Sequence, residues 1–175
     1  VLDGQTGIVY SEPDPAILDE YEKKIQKYSR KRQIEKEYLA KPACTSDGVR
    51  IETKVNLGST DERELAAAAY SDGVGLFRSE FLYMNTDHLP TEEEQFTAYK
   101  AALEALAPRP VTLRTMDIGA DKQLPYLPLP HEENPALGMR ALRLCFEKRE
   151  VFRTQLRAAC RAAVYGNLQV MFPMV

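Results

Sequence analysis

The chain has 175 residues, 44% hydrophobic and 28% charged, a balance that excludes wholesale disorder and leaves room for one ordinary domain or a piece of a larger one. Twenty-three basic against 26 acidic residues give a net charge of -3, which argues against nonspecific nucleic-acid binding. No apolar run approaches the roughly 20 residues that span a bilayer, so no membrane insertion is expected.

The opening VLDGQTGIVY carries neither a basic flank nor an apolar stretch, so no secretory leader is expected. Asp3-Gly4 has turn chemistry and Gly7-Ile8-Val9-Tyr10 is β-prone, which predicts a short strand around a turn. A strand this short is not stable alone and is expected to belong to something N-terminal to it. Asp14 as N-cap and Pro15 at the first helical position predict a helix to about Ala40. Leu18, Tyr21, Ile25 and Tyr28 give it one apolar stripe, charges fill the rest, and Lys41-Pro42 ends it. The basic run 27–32 has acidic neighbours on both sides and reads as a solvated face.

Further along, strands and helices alternate. The sequence predicts a strand over Val49–Leu57, a helix capped by Thr60 and reaching Tyr70, and a strand over Val74–Phe77. A capping box of Thr91 and Glu94 opens a helix to Leu106, and a strand over Pro110–Ile118 follows. Asn134-Pro135 begins a helical stretch to Phe146, and a second helix runs from about Arg149 to Tyr165. Gly166 ends it as a C′ glycine before an apolar strand over Leu168–Met174. Strands separated by helices of 10–20 residues mean parallel pairing in an α/β fold. A closed (β/α)8 barrel takes about 250 residues. Residues 45–175 would supply roughly half, so the chain is expected to be a piece of a longer protein.

The three cysteines, Cys44, Cys145 and Cys160, are odd in number and lack C-x-x-C spacing. Free thiols in a reducing cytoplasm fit better than a disulfide framework or a zinc site. Cys145 and Cys160 fall in apolar helical company and are expected to be buried. His88 and His131 lie in polar loops without partners at metal or triad spacing, and are expected at the surface.

Active groups in parallel α/β folds collect at the C-terminal ends of strands. One strand runs out into Arg78-Ser79-Glu80, another into Arg114-Thr115-Met116-Asp117. Two arginines rising from adjacent strand ends suit a phosphate or carboxylate, because the planar fork donates paired hydrogen bonds and keeps its charge. Spacing alone leaves a second reading open, in which each arginine pairs with Glu80 or Asp117 on the rim. Lys122 could reach the same crevice or remain a loop lysine in water. Arg140 and Arg143 could face it or lie at the surface. Gly119 belongs to no nucleotide-binding glycine pattern.

Four ordered segments carry a family likeness that spacing could not supply. Gly73-Val74-Gly75-Leu76-Phe77-Arg78-Ser79-Glu80-Phe81-Leu82-Tyr83-Met84 resembles the "GIGLxRTEFLYM" segment of the enzyme I family of the bacterial phosphoenolpyruvate-dependent sugar phosphotransferase system. Leu89 to Phe96 resembles its "LPTEEEQF", Arg114 to Lys122 its "RTxDIGGDK", and Glu132 to Arg140 its "EENPxLGxR". The resemblance implies the N-terminal half of a (β/α)8 TIM-type barrel, preceded by a short strand and a long linker helix. Residues 1–12 would be the tail of a phosphohistidine domain, 13–42 the linker helix, and 43–175 the first half of the phosphoenolpyruvate-binding barrel.

The activity implied is phosphoryl transfer from phosphoenolpyruvate to an enzyme histidine outside this chain, and on to the phosphocarrier protein HPr for sugar uptake. Arg78 and Arg114 would bind and act on the substrate, with Lys122 and Arg140 in or beside the site. Mg2+ is implied as cofactor, its ligands expected beyond residue 175, together with a homodimer in the full-length protein and a cytoplasmic location. The chain alone is expected to be inactive. Ser79, Ala120 and Met139 depart from the usual threonine, glycine and tryptophan. Related readings are nitrogen-related enzyme I, pyruvate phosphate dikinase and phosphoenolpyruvate synthase; a reading of another class is a non-catalytic interaction module. The "FLYM" and "LPTEEEQF" segments favour the sugar system, and intact Arg78, Arg114 and Lys122 argue against a degenerate module.

Overall fold

The computed structural model describes residues 1–175 and divides into two units, Val1–Arg50 and Ile51–Val175. In the first, β1 (Leu2–Asp3) and β2 (Ile8–Val9) form an antiparallel hairpin. Asp3 holds its turn by accepting the N–H groups of Gln5 and Thr6 at 2.9 and 3.2 Å and the Tyr21 hydroxyl at 2.9 Å. These bonds, the Gln5 amide foremost, hold the Asp3 carboxyl down at about 2. Helix α1 runs over Pro15–Tyr38, and its N-cap Asp14 accepts the Ile17 N–H at 2.8 Å. It buries no residue, and its charges pair along its own surface, as Lys24 does with Glu20 at 2.7 Å. β3 (Ala43–Cys44) and β4 (Arg50–Ile51) form a further two-stranded ladder.

The second unit is a mixed α/β fold around a four-stranded sheet of β5 (Val55–Leu57), β6 (Val74–Arg78), β7 (Pro110–Arg114) and β8 (Asn167–Met171). The strands are parallel and lie in sequence order. Between them run α2 (Glu62–Ala68), α3 (Glu80–Met84), α4 (Glu92–Leu106), α5 (Ala141–Glu147) and α6 (Arg149–Ala162).

One core cluster joins Leu57, Phe77, Val111 and Leu113 of the sheet to Tyr99, Leu103 and Leu106 of α4 and to Ala158, Ala159 and Ala162 of α6. Alternation along a strand then turns Thr112 and Arg114 to the opposite face from Val111 and Leu113. Thr112 bonds its register partner Gln169 there, at 3.1 Å. A second cluster packs Tyr83, Met116, Ile118, Leu144 and Cys145 around the segment that leaves β7.

Several sequence expectations are corrected. Residues 49–57 break into β4 and β5 instead of one strand. The α2 cap is Asp61, not Thr60: its carboxylate accepts the Glu64 N–H at 2.9 Å, while Glu64 turns back to the Gly58 amide at 2.7 Å. That helix stops at Ala68, where Arg109 takes over the free carbonyls of Ala69 and Ser71 at 2.7 and 2.9 Å. β7 ends at Arg114, four residues short of Ile118, because past the Thr115 amide, which still reaches the Met171 carbonyl, the Met116 and Asp117 amides go to side chains. The expected helix from Asn134 begins only at Ala141; Glu132 takes the Met139 amide at 3.0 Å, and Arg143 takes the Ala136 carbonyl at 3.0 Å.

Gly166 is no left-handed cap, since its φ of 174° is extended. It is needed for close approach, because a Cβ there would lie 2.9 Å from the Leu103 carbonyl oxygen. Cys160 is exposed, on the side of α6 away from Ala158, Ala159 and Ala162. Cys145 is buried as expected, and burial pushes its thiol up to about 11. The capping box of α4 forms as read, with Glu94 N–H to Thr91 Oγ1 at 3.2 Å and Thr91 N–H to Glu94 Oε2 at 2.7 Å.

Candidate functional site

β6 and β7 end on arginines that are register partners, Arg78 opposite Arg114. Paired residues on adjacent parallel strands project to the same face, so both side chains leave the sheet on the face away from the helices, at its C-terminal edge. There the two differ. Arg114 is only 19% exposed at its side chain, and its Nη2 meets Glu80 Oε1 at 2.7 Å. Its Nη1 lies 3.5 Å from Asp117 Oδ2. Arg78 is exposed, makes no ion pair, and lays its guanidinium 4.8 Å from the centre of the Phe81 ring. Gly58, just past β5, leaves room for this pairing, since a Cβ there would lie 3.1 Å from Phe81 and 3.5 Å from Arg78 Nη2.

Asp117 gathers the other candidates. Its Oδ1 accepts Arg140 Nε at 2.9 Å and its backbone carbonyl accepts Lys122 Nζ at 2.9 Å. Arg140 also reaches Asp121 Oδ1 at 3.4 Å. The Asp117 hydrogen bond, followed by the nearby carboxylate charges, raises the Arg140 pKa further. Gly119 permits this turn, for a Cβ would sit 2.9 Å from Asp121 Oδ1 and 3.0 Å from Arg140 Cβ. Arg114 and Arg140 thus collect on the Asp117 carboxylate and Lys122 on the backbone carbonyl of the same residue, whereas Arg78 joins them through strand register alone. Cations of Arg114, Arg140 and Lys122 gather with anions of Glu80, Asp117 and Asp121, and Arg78 adds a positive charge without an ion-pair partner. The rim reading of the sequence holds for Arg114, which pairs with both Glu80 and Asp117.

Sequence reasoning missed the layer beneath. Ser79, Gln95, Tyr99 and Gln155 are buried polar residues that bond one another under the strand ends. A serine inside an apolar segment and a glutamine inside a helix carry no such signal at the level of sequence. Three buried polar atoms at this edge have no partner: Arg114 Nε, Glu80 Oε2 and Thr115 Oγ1. The arrangement offers guanidinium donors to an oxyanion from one edge of the sheet. It does not fit a divalent cation, because its acids are already held by guanidinium groups and no three His, Cys, Asp or Glu side chains converge. His88 stands outside the cluster between Asp87 and Glu94, at 2.9 and 3.1 Å, and both carboxylates raise its pKa. His131 is exposed.

Residues 32–175 match the family model described as PEP-utilising enzyme, PEP-binding domain. The chain is 49% identical over 175 residues to the phosphoenolpyruvate-protein phosphotransferase of Geobacillus stearothermophilus, covering all of this chain and 30% of that protein. It is 47% identical over 175 residues to the phosphoenolpyruvate-protein phosphotransferase of Bacillus subtilis (strain 168), and 48% identical over 176 residues to that of Listeria monocytogenes, covering all of this chain and 31% of each. The chain spans about 30% of the length of the curated relatives it matches.

Proposed function

The chain belongs to the PEP-utilising enzymes, in their PEP-binding domain, and from that premise we propose that it supplies the substrate-binding edge of a phosphoenolpyruvate-protein phosphotransferase. In that reading the sheet of the second unit is the first half of a (β/α)8 barrel, α1 is a linker helix, and residues 1–12 end a phosphohistidine domain. The strongest support is the register pairing of Arg78 with Arg114 at the edge where strands of such folds present their chemistry.

In the reaction, the phosphorus–oxygen bond of phosphoenolpyruvate breaks and a phosphorus–nitrogen bond to a histidine of the whole protein forms. The enolate left behind takes up a proton and becomes pyruvate. Charge spread over the phosphoryl oxygens needs fixed cations. Arg78 and Arg114 hold the phosphate between adjacent strand ends, while Arg140 and Lys122, tied to Asp117, lie in or beside the site. The phosphocarrier protein HPr receives the phosphoryl group for sugar uptake, and the protein works as a homodimer in the cytoplasm. No helix here is long and apolar enough to cross a membrane. Magnesium, which stabilises phosphoryl charge when bound, takes its ligands from outside residues 1–175 in this reading.

Arg78→Lys tests it, because lysine keeps the charge and loses the paired donors. In the full-length protein, phosphoenolpyruvate-dependent turnover falls at least about tenfold, at an unchanged circular dichroism spectrum. Unchanged turnover would remove Arg78 from the site.

A further inference from the structure

We infer that Ser79 and Gln155 form a buried brace that sets the position of Arg114, and that both are positioning residues for the phosphate end of the site. The inference rests on the reading of Arg114 as a phosphate-binding group.

After Arg114 the chain leaves the sheet, with one last bond to β8, and the amides beyond it must find acceptors elsewhere. The Thr115 N–H goes to the Met171 carbonyl at 2.9 Å. The Met116 N–H goes to Gln155 Oε1 at 2.8 Å, from a residue in the middle of α6. Arg114 itself is gripped through its carbonyl, which accepts the Ser79 hydroxyl at 2.7 Å. Gln155 closes the loop, since its Nε2 donates to Ser79 Oγ and to the Tyr99 hydroxyl, each at 3.1 Å. Tyr99 in turn donates to Gln95 Oε1 at 3.0 Å, and Gln95 Nε2 to the Pro90 carbonyl at 2.9 Å.

Every direction in this chain of bonds is fixed. Both amide hydrogens of Gln155 are used and its oxygen is used, so a flipped amide would set a donor against the Met116 N–H. The Ser79 oxygen accepts from Gln155, which leaves its single proton for Arg114. Ser79 is 0% exposed and Gln155 1%. Burying such groups is unfavourable unless each is bonded, and apolar side chains would fill the same space at less cost. Much of the interface between α6 and the sheet is apolar, through Ala158, Ala159 and Ala162. The polar bonds from Gln155 act on the segment beside Arg114, directly at Met116 and through Ser79 at Arg114. A guanidinium displaced by about 1 Å from the productive place can lose up to about 100-fold in rate, so rigid anchors at the Arg114 carbonyl and two residues on have a function in the site.

The test compares Ser79→Ala, Ser79→Thr, Gln155→Met and Arg114→Lys in the full-length protein. Two rates are measured: kcat/KM for pyruvate release from phosphoenolpyruvate, and transfer from the already phosphorylated protein to the phosphocarrier, which does not use this site. Ser79→Ala and Gln155→Met are expected to lower the first about tenfold and to leave the second within about twofold. Ser79→Thr, which keeps the hydroxyl, is expected to retain the first. If Ser79→Ala and Gln155→Met keep kcat/KM while Arg114→Lys loses it, the brace is wrong and the site stands. If Arg114→Lys also keeps it, the site reading itself fails. If both rates fall together, or threonine does no better than alanine, the two residues serve the fold in general and the inference is overturned.

Discussion

Glu80→Ala deletes the carboxylate that receives both the Arg114 guanidinium, at 2.7 Å, and the Asp117 backbone N–H, at 3.1 Å. Removing one partner of a buried ion pair costs about 3–5 kcal/mol, because the other charge is left uncompensated. Arg114 keeps Asp117 at 3.5 Å and is 19% exposed at its side chain, so the lower end, about 3 kcal/mol, applies. Glu80→Gln is milder. Its oxygen still accepts, and a charge-assisted bond becomes a neutral one at a loss of about 1 kcal/mol, partly offset because an amide is easier to bury than a carboxylate. The readout is hydrogen exchange of the Asp117 amide in the full-length protein, followed by mass spectrometry. At about 1.4 kcal/mol per factor of ten, exchange speeds up about 100-fold in the alanine variant and less than about tenfold in the glutamine variant. Equal exchange in the two variants, or no change in either, would refute the claim that charge on Glu80 holds this edge together.

Gly73→Ala is expected to lower the urea midpoint strongly, by about 2 kcal/mol or more, because Gly73 has a φ of +140° and its Cβ would lie 2.4 Å from the Pro110 carbonyl oxygen. A parent-like midpoint would contradict that geometry. The Glu92 carboxyl is held below its usual range by Arg161 and then Arg157, so its contribution is present above the ordinary glutamate range and is lost as the pH falls through and below it. Acid unfolding of Glu92→Gln should therefore depend less steeply on pH than that of the parent, a difference that shrinks at high salt. At pH 8, iodoacetamide should label exposed Cys44 and Cys160 while sparing Cys145, whose buried thiol is pushed up to about 11. Labelled Cys145 in the native protein, read by peptide mapping, would contradict its burial.

Local chemistry makes parts of the fold legible in the sequence. Asp14-Pro15 and the Thr91 and Glu94 pair satisfy the first free amides of their helices with groups only three residues away, so sequence distance and spatial distance coincide. Where a partner is distant in sequence, that legibility ends. The end of β7 depends on Gln155, 39 residues from Met116, and the end of α2 on Arg109, 40 residues from Ala69. Gly166 shows the same limit: in sequence a turn glycine and a glycine forced by a neighbouring helix look alike, and only the Leu103 carbonyl beside it tells them apart.

The site raises a different question, since Arg114 is observed in the rim pairing and is proposed for the anion as well. A guanidinium has five N–H donors, and Glu80 and Asp117 each meet one of its two terminal nitrogens, which carry two N–H groups apiece. Its Nε–H is buried without a partner, so the donors left for an anion are the second N–H groups of its terminal nitrogens. Held this way, the fork keeps one orientation and gives up little further side-chain entropy on meeting an anion. The balanced charges of Glu80, Asp117 and Asp121 against Arg114, Arg140 and Lys122 would leave such a site with weak long-range attraction. Arg78, exposed and without an ion pair, supplies the uncompensated charge. In the proposed reading the two arginines therefore divide the work: Arg78 draws the phosphate in and moves to meet it, while Arg114 presents a donor that is already in place. Substituting Arg78 should then weaken phosphoenolpyruvate capture more steeply at low salt than at high salt, whereas substituting Ser79 should leave that salt dependence as it is.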